Sequence, residues 1–548
     1  MMREKKIPLW IRLVLICSGT AATVLMMQTD FLYSFLITAV LSLVLWALLC
    51  LKTNILEEVY FGKRLWEVLL SAVLSVMTVY QYKSTFFSCC KEWITALVEL
   101  LHLPEIVIQL VPWGVALLAL PAVFGGLLWF WHFMAQQALG FRKKADYVEW
   151  LFLVGAGILL GMMVVFTYMC TQAFHGAHVN GSWFNFDLVY SADSGYLVNQ
   201  DVYRNVGAEQ NDLRQPLFGL FALPFAQVAG ILASILPFIP EGYVTILQIM
   251  EVMLFLVALV LVARMLDLQG AEKALFLVLM TVSYPSLIFA LTAEQYLFAV
   301  FYLILGLYLS QEKLGGSLCF IGATGSMLTS GVLFPAFTWD RNFKTFVKNT
   351  VTLCLCFFTV TILCGRLTTF LDIPSYIEGY GYYAGGDVAP VQKLQQYVNF
   401  VGACLAAPDS YMDFTTYNHV SWQMVPVTSW RIFGFVMLAL SVLGVVVSCR
   451  QRFSRICGGW MAFSFLLLGV VGWGTIDNGL MLYSLYFGWA FIAMSFRFVT
   501  WLLHKLLPRF PVVRYGILLG ILVPVSMINV MNLRAVLIYA TQFYPALR

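Results

Sequence analysis

Charged residues are scarce in this chain, where 11% of the 548 residues are charged and 61% are hydrophobic. A water-soluble domain cannot bury so much apolar surface, so a soluble fold is excluded. The twelve cysteines include no CxxC pair, which argues against a zinc or redox site of that type. A Walker loop, a low-complexity linker and an internal repeat are also missing from the sequence. Chemistry driven by a bound nucleotide is therefore not expected.

Apolar runs of about twenty residues recur along the chain, and a helix of that length crosses the roughly 30 Å hydrocarbon layer of a bilayer. The first run has no signal-peptide cleavage site and is expected to be retained. The sequence predicts an all-α, polytopic transmembrane helix bundle with about fifteen spans. They are predicted at 8–28, 31–51, 65–82, 106–132, 148–170, 243–264, 272–291, 294–311, 317–329, 331–340, 349–371, 430–449, 456–475, 479–496 and 514–534.

The positive-inside rule sets the predicted orientation. Segment 215–238 is apolar enough to span but contains three prolines. If it lies in the interface without crossing, 22 of the 32 Lys and Arg residues fall on one side. This predicts a cytoplasmic N-terminus and two large external loops, at 171–242 and 372–428. The vicinal Cys89 and Cys90 are expected in a shorter loop.

The first large loop collects charge in a chain that otherwise has little. Its charged residues include Asp187, Asp193, Asp201, Glu209, Asp212, Arg204 and Arg214. A carboxylate beside apolar surface can act as a general base, and arginines can neutralise the phosphate of a leaving group. The alternative is that these residues are simply solvated.

Short motifs follow in a set order through this region. They are DSGY (193–196), RQPLF (214–218), LVLVARMLD with Arg264, LTAEQY with Glu294, and LTSG (328–331). This order resembles the GT-C superfamily of membrane glycosyltransferases, especially the branch of protein O-mannosyltransferases and aminoarabinose transferases. The corresponding family strings are DExxY, K/H-P-P-L and LTKG. The resemblance covers about 148–371.

The resemblance implies a catalytic aspartate in the first external loop, a sugar donor linked to a lipid phosphate, and an interfacial helix after the loop. Asp193 takes the family's catalytic position, Arg214 its basic position before proline, and Glu294 lies near its second acidic position. Ser194 and Ser330 stand where the family has an acid and a lysine. The candidate residues are Asp193 and Asp187 for catalysis, and Arg214, Arg204, Tyr196, Glu294 and Arg431 for substrate binding.

The expected function is transfer of a sugar from a polyprenyl-phosphate donor to an acceptor on the extracytoplasmic face. The acceptor can be a glycan, a lipid or a protein. A transporter or flippase of lipid-linked saccharides and a non-catalytic GT-C-like scaffold are the alternatives. Most polar residues lie in one external loop and not at the bilayer midplane, which favours the enzyme. The expected location is a bacterial cell membrane, with the bilayer as a partner and no nucleic acid.

The predicted domains are an N-terminal four-helix extension (1–147), a GT-C-like core (148–371), the second external loop (372–428) and the C-terminal helices (429–548). No cofactor and no metal ligand is assigned. A divalent metal stays open because His175 and His178 have a suitable spacing, although two loop histidines alone are a weak signal.

Aromatic residues are frequent in the second loop. They are Tyr376, Tyr380, Tyr382, Tyr383, Tyr397, Tyr411, Tyr417 and Trp422. Aromatic faces stack on sugar rings, but the same residues also anchor proteins at membrane interfaces, and anchoring is the preferred interpretation. Within the span 243–264, Glu251 is expected to be neutral, paired or functional, with structural pairing favoured.

Overall fold

The computed structural model describes most of the chain and is almost entirely helical. The strands among the described residues are one short antiparallel pair, Ser410–Asp413 with Ser421–Met424. The described residues are 7–28, 32–53, 55–60, 63–174, 194–208, 212–311, 316–371, 373, 381, 383–386, 388–408, 410–413, 421–424, 431–475, 479–543 and 545.

The first half of the chain contains eleven helices within this described part. They are α1 (Leu9–Met26), α2 (Leu32–Lys52), α3 (Ile55–Tyr60), α4 (Leu65–Leu100), α5 (Ile106–Lys144), α6 (Tyr147–Cys170), α7 (Ser194–Asn199), α8 (Phe218–Ile235), α9 (Gly242–Met265), α10 (Gly270–Val282) and α11 (Tyr284–Phe289).

The second half adds ten α-helices, counted over the residues that the structure describes. They are α12 (Tyr296–Gln311), α13 (Ser317–Ser326), α14 (Phe334–Thr338), α15 (Phe343–Leu363), α16 (Leu367–Leu371), α17 (Pro390–Ala403), α18 (Arg431–Val447), α19 (Arg452–Ser464), α20 (Ser484–Leu506) and α21 (Pro511–Phe543). A 3-10 helix (Leu328–Leu333) precedes α14, a π-helix (Phe465–Val471) continues α19, and a second 3-10 helix (Gly479–Tyr483) leads into α20.

Eleven helical segments of the described chain are long and apolar enough to cross a membrane. The protein is therefore a multi-pass helical membrane protein, as the sequence predicted. The count of fifteen spans stays a prediction, because several further apolar helices are shorter than a bilayer crossing. Helix α8 is 18 residues long and falls within the segment 215–238, but its length does not decide between crossing and lying in the interface.

Helices α4 and α5 are much longer than the spans predicted at 65–82 and 106–132. Helix α4 has 36 residues, or about 54 Å at 1.5 Å per residue, so it extends well beyond the hydrocarbon layer. Its added turns bury Phe86, Cys90, Ile94 and Val98, each four residues after the last, on one face. The predicted loop around Cys89 and Cys90 was therefore wrong, since both residues lie in this helix.

The predicted span 272–291 is broken at Ser283, two residues before Pro285, into α10 and α11. Asn529 holds the broken end. Its side-chain amide donates to the carbonyl of Val282 at 2.7 Å and to that of Leu405 at 2.8 Å. Because proline cannot donate a backbone hydrogen bond, a break at this point inside an apolar run has a direct physical cause.

The residues divide into two compact units. The first comprises 1–145, 203–228 and 351–373, and the second comprises 146–202, 229–350 and 374–548. The four-part domain division predicted from the sequence stays a prediction.

In the first unit, one face of α4 carries a row of buried polar side chains at intervals of three and four residues: Glu67, Ser71, Ser75, Thr78 and Tyr82. Helix α5 packs along α4. It contributes His132, whose Nδ1 lies 2.9 Å from Oε2 of Glu67. The interior of this unit is therefore more polar than its sequence hydropathy suggests.

In the second unit, α9 and α12 pack against each other and are buried over most of their lengths. Helix α20 is buried over most of its first half. A helix that is apolar on all sides belongs in a core or in lipid, and here these three form the core. Glu251 lies in α9 and is fully buried.

Candidate functional site

The predicted catalytic residues lie outside the described residues. This applies to Asp187 and Asp193, and equally to His175 and His178. The short helix α7 begins immediately after Asp193 and contains Tyr196, of which the main chain alone is described. Helix α18 begins at Arg431, of which the main chain alone is described.

In the first unit, the chain around Arg204 is held by the N-terminal helices. The hydroxyl of Tyr82 in α4 donates to the carbonyl of Arg204 at 2.9 Å and accepts the backbone N–H of Val206 at 2.7 Å. Gln28, just after α1, donates a hydrogen bond to the side chain of Asn205. The backbone of this part of the predicted external loop is thus held by contacts with the N-terminal part of the chain, through Tyr82 and Gln28.

Arg214 lies in a tight turn before α8. Asp212 accepts the backbone N–H of Arg214 at 2.7 Å, and its other carboxylate oxygen lies 2.9 Å from Nε of Arg214. A side-chain carboxylate that binds the backbone two residues later is typical of an Asx turn. The Arg214 side chain is 40% exposed, so the turn presents a guanidinium whose position is set by an acid.

In the second unit, Glu294 is fully buried between the end of α11 and the start of α12. The polar residues around it in sequence, Thr292 and Gln295, are buried as well. Tyr168 at the end of α6 donates to the carbonyl of Leu291 at 2.9 Å. The LTAEQY motif is therefore a packed connection, and its acid is enclosed by protein rather than presented on a loop surface.

The LTSG motif forms the 3-10 helix at Leu328–Leu333. Ser330 is fully buried, and its Oγ lies 2.5 Å from the phenolic oxygen of Tyr486 in α20. Thr329 donates to the same Tyr486 oxygen at 3.2 Å. The serine that stands at the family's lysine position thus makes an internal hydrogen bond, a role that a lysine could not fill without burying its charge.

A cluster of four charges joins the ends of three helices in the second unit. Glu149 in α6 forms two bonds with Arg264 of α9, at 3.0 and 2.5 Å. Lys273 of α10 lies 2.9 Å from Glu149 and 2.5 Å from Asp146. Asp146 caps α6 by accepting the backbone N–H of Glu149 at 2.9 Å. Burial works against the charge on Asp146, but the hydrogen bond and positive charge of Lys273, together with the backbone N–H groups of Val148 and Glu149, outweigh burial and hold the pKa of Asp146 below its usual value.

Arg264 belongs to one of the motifs that carry the family resemblance. In the structure its side chain is bonded to Glu149. Glu149 was missed at the sequence level. A signal was available, because DYVE at 146–149 has the spacing of a capping box before an apolar run. Within the described ranges, no group of three or more His, Cys, Asp or Glu side chains is arranged to hold a metal ion.

Among the second-loop aromatics, Tyr397 is buried and its hydroxyl lies 3.0 Å from Oγ of Ser464, so it packs inside the protein. Tyr383 is 46% exposed, and its ring lies 6.2 Å from that of Trp473. Sequence reasoning missed Trp473, because it falls at the end of a predicted span, where a tryptophan is expected as an anchor.

No protein-family model, no curated protein and no solved structure matches this chain. The GT-C resemblance therefore depends on the motifs of the sequence alone. The predicted site residues divide between the two units. Arg204 and Arg214 lie in the first unit, and Glu294 and Tyr196 in the second.

Proposed function

We propose that this protein is a membrane glycosyltransferase that transfers a sugar from a polyprenyl-phosphate donor to an acceptor on the extracytoplasmic side. The observation that carries the proposal is Arg214. A basic side chain is held by Asp212 in a fixed turn and stays partly exposed at the start of an apolar helix. A guanidinium in that place suits the phosphate of a lipid whose tail lies in the bilayer.

In the proposed reaction, Asp193 takes the proton from the acceptor hydroxyl as its oxygen attacks the anomeric carbon. The bond from that carbon to the phosphate oxygen breaks, and polyprenyl phosphate leaves with its negative charge. Arg214 neutralises this charge, with Arg204 and Arg431 as the proposed further contributors. Holding donor and acceptor side by side supplies much of the rate acceleration.

Two features of the fold support the proposal without testing it. The Arg204 segment is pinned to Tyr82 and Gln28, which gives the additional N-terminal helices a role in ordering the first external loop. The two remaining motifs, at Glu294 and Ser330, are buried and hydrogen-bonded or packed. Rigid support of this kind is what a positioned reactive loop needs.

The proposed orientation has a cytoplasmic N-terminus, with α8 lying along or dipping into the outer interface, in a bacterial cell membrane. The uneven distribution of Lys and Arg supports this orientation. Labelling of a single cysteine at position 193, in a variant without the twelve native cysteines, tests it directly. Access from the cytoplasmic side alone would overturn both the orientation and the mechanism.

The activity is tested by incubating purified protein with a panel of polyprenyl-phosphate sugars and measuring released polyprenyl phosphate. Asp193→Asn keeps the shape and removes the proton acceptor, so turnover should fall by about 10²-fold or more while donor binding stays nearly unchanged. Arg214→Ala should weaken donor binding as well.

Matched controls are available on other surfaces. Asp267→Asn changes an exposed aspartate with positive φ, which asparagine tolerates, and Arg341→Ala removes an exposed arginine. Both should leave turnover unchanged. Loss of activity in Asp187→Asn with full activity in Asp193→Asn would move the base to Asp187. Full activity in both aspartate variants would contradict the proposed mechanism.

Movement of lipid-linked saccharides is the second candidate function, and one observation favours it. Helix α10 breaks at Ser283 inside an apolar segment, and a small cavity at the break is lined by Ser283, Ser286, Ser484 and Trp489. Discontinuous helices with polar linings are common in transporters. Proteoliposomes separate the two functions, because a flippase moves the intact donor across the bilayer without releasing polyprenyl phosphate.

A further inference from the structure

Tyr383 and Trp473 form a surface that we call the aromatic platform. Their ring centroids are 6.2 Å apart with planes inclined by 41°. Tyr383 is 46% exposed and Trp473 is half-buried. Both residues belong to the second compact unit, so their arrangement is a property of a single packed body.

Backbone contacts hold the aromatic platform in place. The N–H of Gly474 donates to the carbonyl of Tyr383 at 2.8 Å, which joins the two chain segments next to the rings. Gly474 has φ of 75° and Gly472 has φ of 85°, a region that glycine adopts at little cost. This turn follows directly on the π-helix Phe465–Val471, an element often associated with functional sites. The backbone itself therefore joins the two segments that carry the rings.

The indole N–H of Trp473 points into the protein, where it donates to the hydroxyl of Tyr483 at 2.6 Å. A tryptophan that anchors a protein in the interface uses this N–H toward water and lipid headgroups. Here the N–H is already satisfied, and the ring of Tyr483 in turn packs edge-on against Tyr296 at 6.3 Å. The anchor interpretation fits Trp473 poorly, because its polar atom is already bonded within the protein.

Lys393 supplies a charged hydrogen-bond donor beside the platform. Its ammonium donates to the carbonyl of Ala384 at 3.3 Å and to that of Val471 at 3.0 Å. Its side chain runs between Gly385 and Gly472, where an added Cβ would meet Lys393 atoms at 2.6 and 2.5 Å. An ammonium has three N–H bonds, and the third has no acceptor among the residues that the structure describes.

We propose that the aromatic platform binds a pyranose ring, with the third N–H of Lys393 donating to a sugar hydroxyl. This inference rests on the proposed function, whose donor and acceptor are the two sources of such a ring. A sugar has an apolar face of C–H groups and an edge of hydroxyls, which matches an aromatic face beside a hydrogen-bond donor. A prenyl chain would use the rings but would leave the ammonium beside hydrocarbon, which is unfavourable.

The test uses binding of the methyl glycosides of mannose, glucose, galactose and N-acetylglucosamine to the purified full chain, measured by saturation-transfer NMR. Trp473→Leu should raise the Kd of the best-bound glycoside by about tenfold, as expected for loss of an aromatic contact. Trp473→Phe keeps an aromatic face and should retain most of the binding. Trp339→Leu, at a more exposed tryptophan outside the platform, is the control and should change nothing.

Competition identifies the source of the ring. A short-chain prenyl-phosphate sugar that displaces the glycoside identifies the donor sugar, and failure to displace it identifies the acceptor. The proposal is overturned if no glycoside binds, if Trp473→Leu binds like the wild type, or if sugar-free prenyl phosphate displaces the glycoside as well as the sugar-linked form does. Because binding is read without turnover, Trp473-dependent binding in a protein with no transfer activity would refute the proposed function and leave the platform standing.

Discussion

Glu67 in the first compact unit and Glu149 in the second occupy the same local structure. Each lies one turn inside a helix and accepts the backbone N–H of the residue three positions earlier, at 3.0 Å from Arg64 and 3.3 Å from Asp146. Each is almost completely buried. Their partners differ. Glu149 meets a guanidinium and an ammonium that are each at most 10% exposed, whereas Glu67 meets the imidazole of His132 and, at 3.9 Å, the 46% exposed guanidinium of Arg64.

This difference shows that a local sequence motif can determine where a helix begins, while partners distant in sequence determine how much the glutamate contributes to stability. Arg264 and Lys273 are charged at every physiological pH, so the charge on Glu149 always has compensation, and removing Glu149 would leave two buried cations. His132 and Arg64 both reach solvent, at 23% and 46% exposure, so removing Glu67 leaves no fully buried cation. Loss of Glu149 is therefore expected to destabilise the protein more than loss of Glu67.

The largest effect is expected for Glu149→Ala. It should lower the free energy of unfolding by about 3–5 kcal/mol, because it leaves the side chains of Arg264 and Lys273 without their shared carboxylate in a buried place. Thermal unfolding in detergent measures the loss. Combining Glu149→Met with Arg264→Met should restore much of the stability, because an apolar pair of similar volume avoids the desolvation cost. A loss below about 1 kcal/mol in Glu149→Ala would show that water reaches the cluster.

Glu67→Ala tests the other half of the comparison and should cost about 1–3 kcal/mol, the range for a lost buried hydrogen-bonding group. The cost is smaller because the partners of Glu67 are partly solvated, with His132 23% and Arg64 46% exposed. Glu92→Ala changes an exposed glutamate in the same helix, and should stay within about 0.5 kcal/mol of the wild type. A cost as large as that of Glu149→Ala would mean that solvent does not compensate the partners of Glu67, and would remove the contrast between the two glutamates.

The membrane spans were predictable because apolar runs of bilayer length leave few alternatives. The full length of α4 was also encoded, since Tyr82, Phe86, Cys90, Ile94 and Val98 recur every four residues. The prediction stopped at Lys83 because a charge usually ends a span. In the structure the helix continues past Lys83, whose ammonium lies 3.6 Å from the ring centre of Trp113 in a cation–π contact.

The partners of Glu149 were not predictable, because Arg264 and Lys273 are more than 100 residues away in sequence. The break at Ser283 had a local signal in Pro285, but its support from Asn529 did not. For the candidate site, the sequence predicted Asp193, Arg214 and Glu294 as site residues, but it placed Glu294 at the outer membrane edge and did not indicate that this acid is fully buried. It gave no indication of Trp473 with Lys393, since that arrangement depends on two distant turns meeting.

The variant Tyr82→Phe tests whether the buried polar side chains of α4 also order the predicted external loop. The hydroxyl of Tyr82 serves the carbonyl of Arg204 and the N–H of Val206, so its removal should cost about 1 kcal/mol in unfolding free energy. Hydrogen exchange at Val206 should rise with it. Tyr80→Phe changes an exposed tyrosine two residues earlier in α4 and should leave that exchange unchanged. Equal exchange in both variants would show that other contacts suffice to hold the segment.

The smallest effect is expected at Asp146, the exposed edge of the Glu149 cluster. Asp146→Asn keeps a good N-cap residue and removes only the charge that faces Lys273. The aspartate is 46% exposed, so the loss should stay below about 1 kcal/mol near neutral pH.

The pKa of Asp146 in the folded protein lies below the unfolded value of about 3.9. The stabilisation is therefore complete above that value and disappears as pH falls through the folded pKa. The melting temperatures of wild type and Asp146→Asn should differ at pH 7 and converge as the pH drops below about 4. A difference that persists at low pH would mean that the carboxylate acts through its shape as a cap and not through its charge.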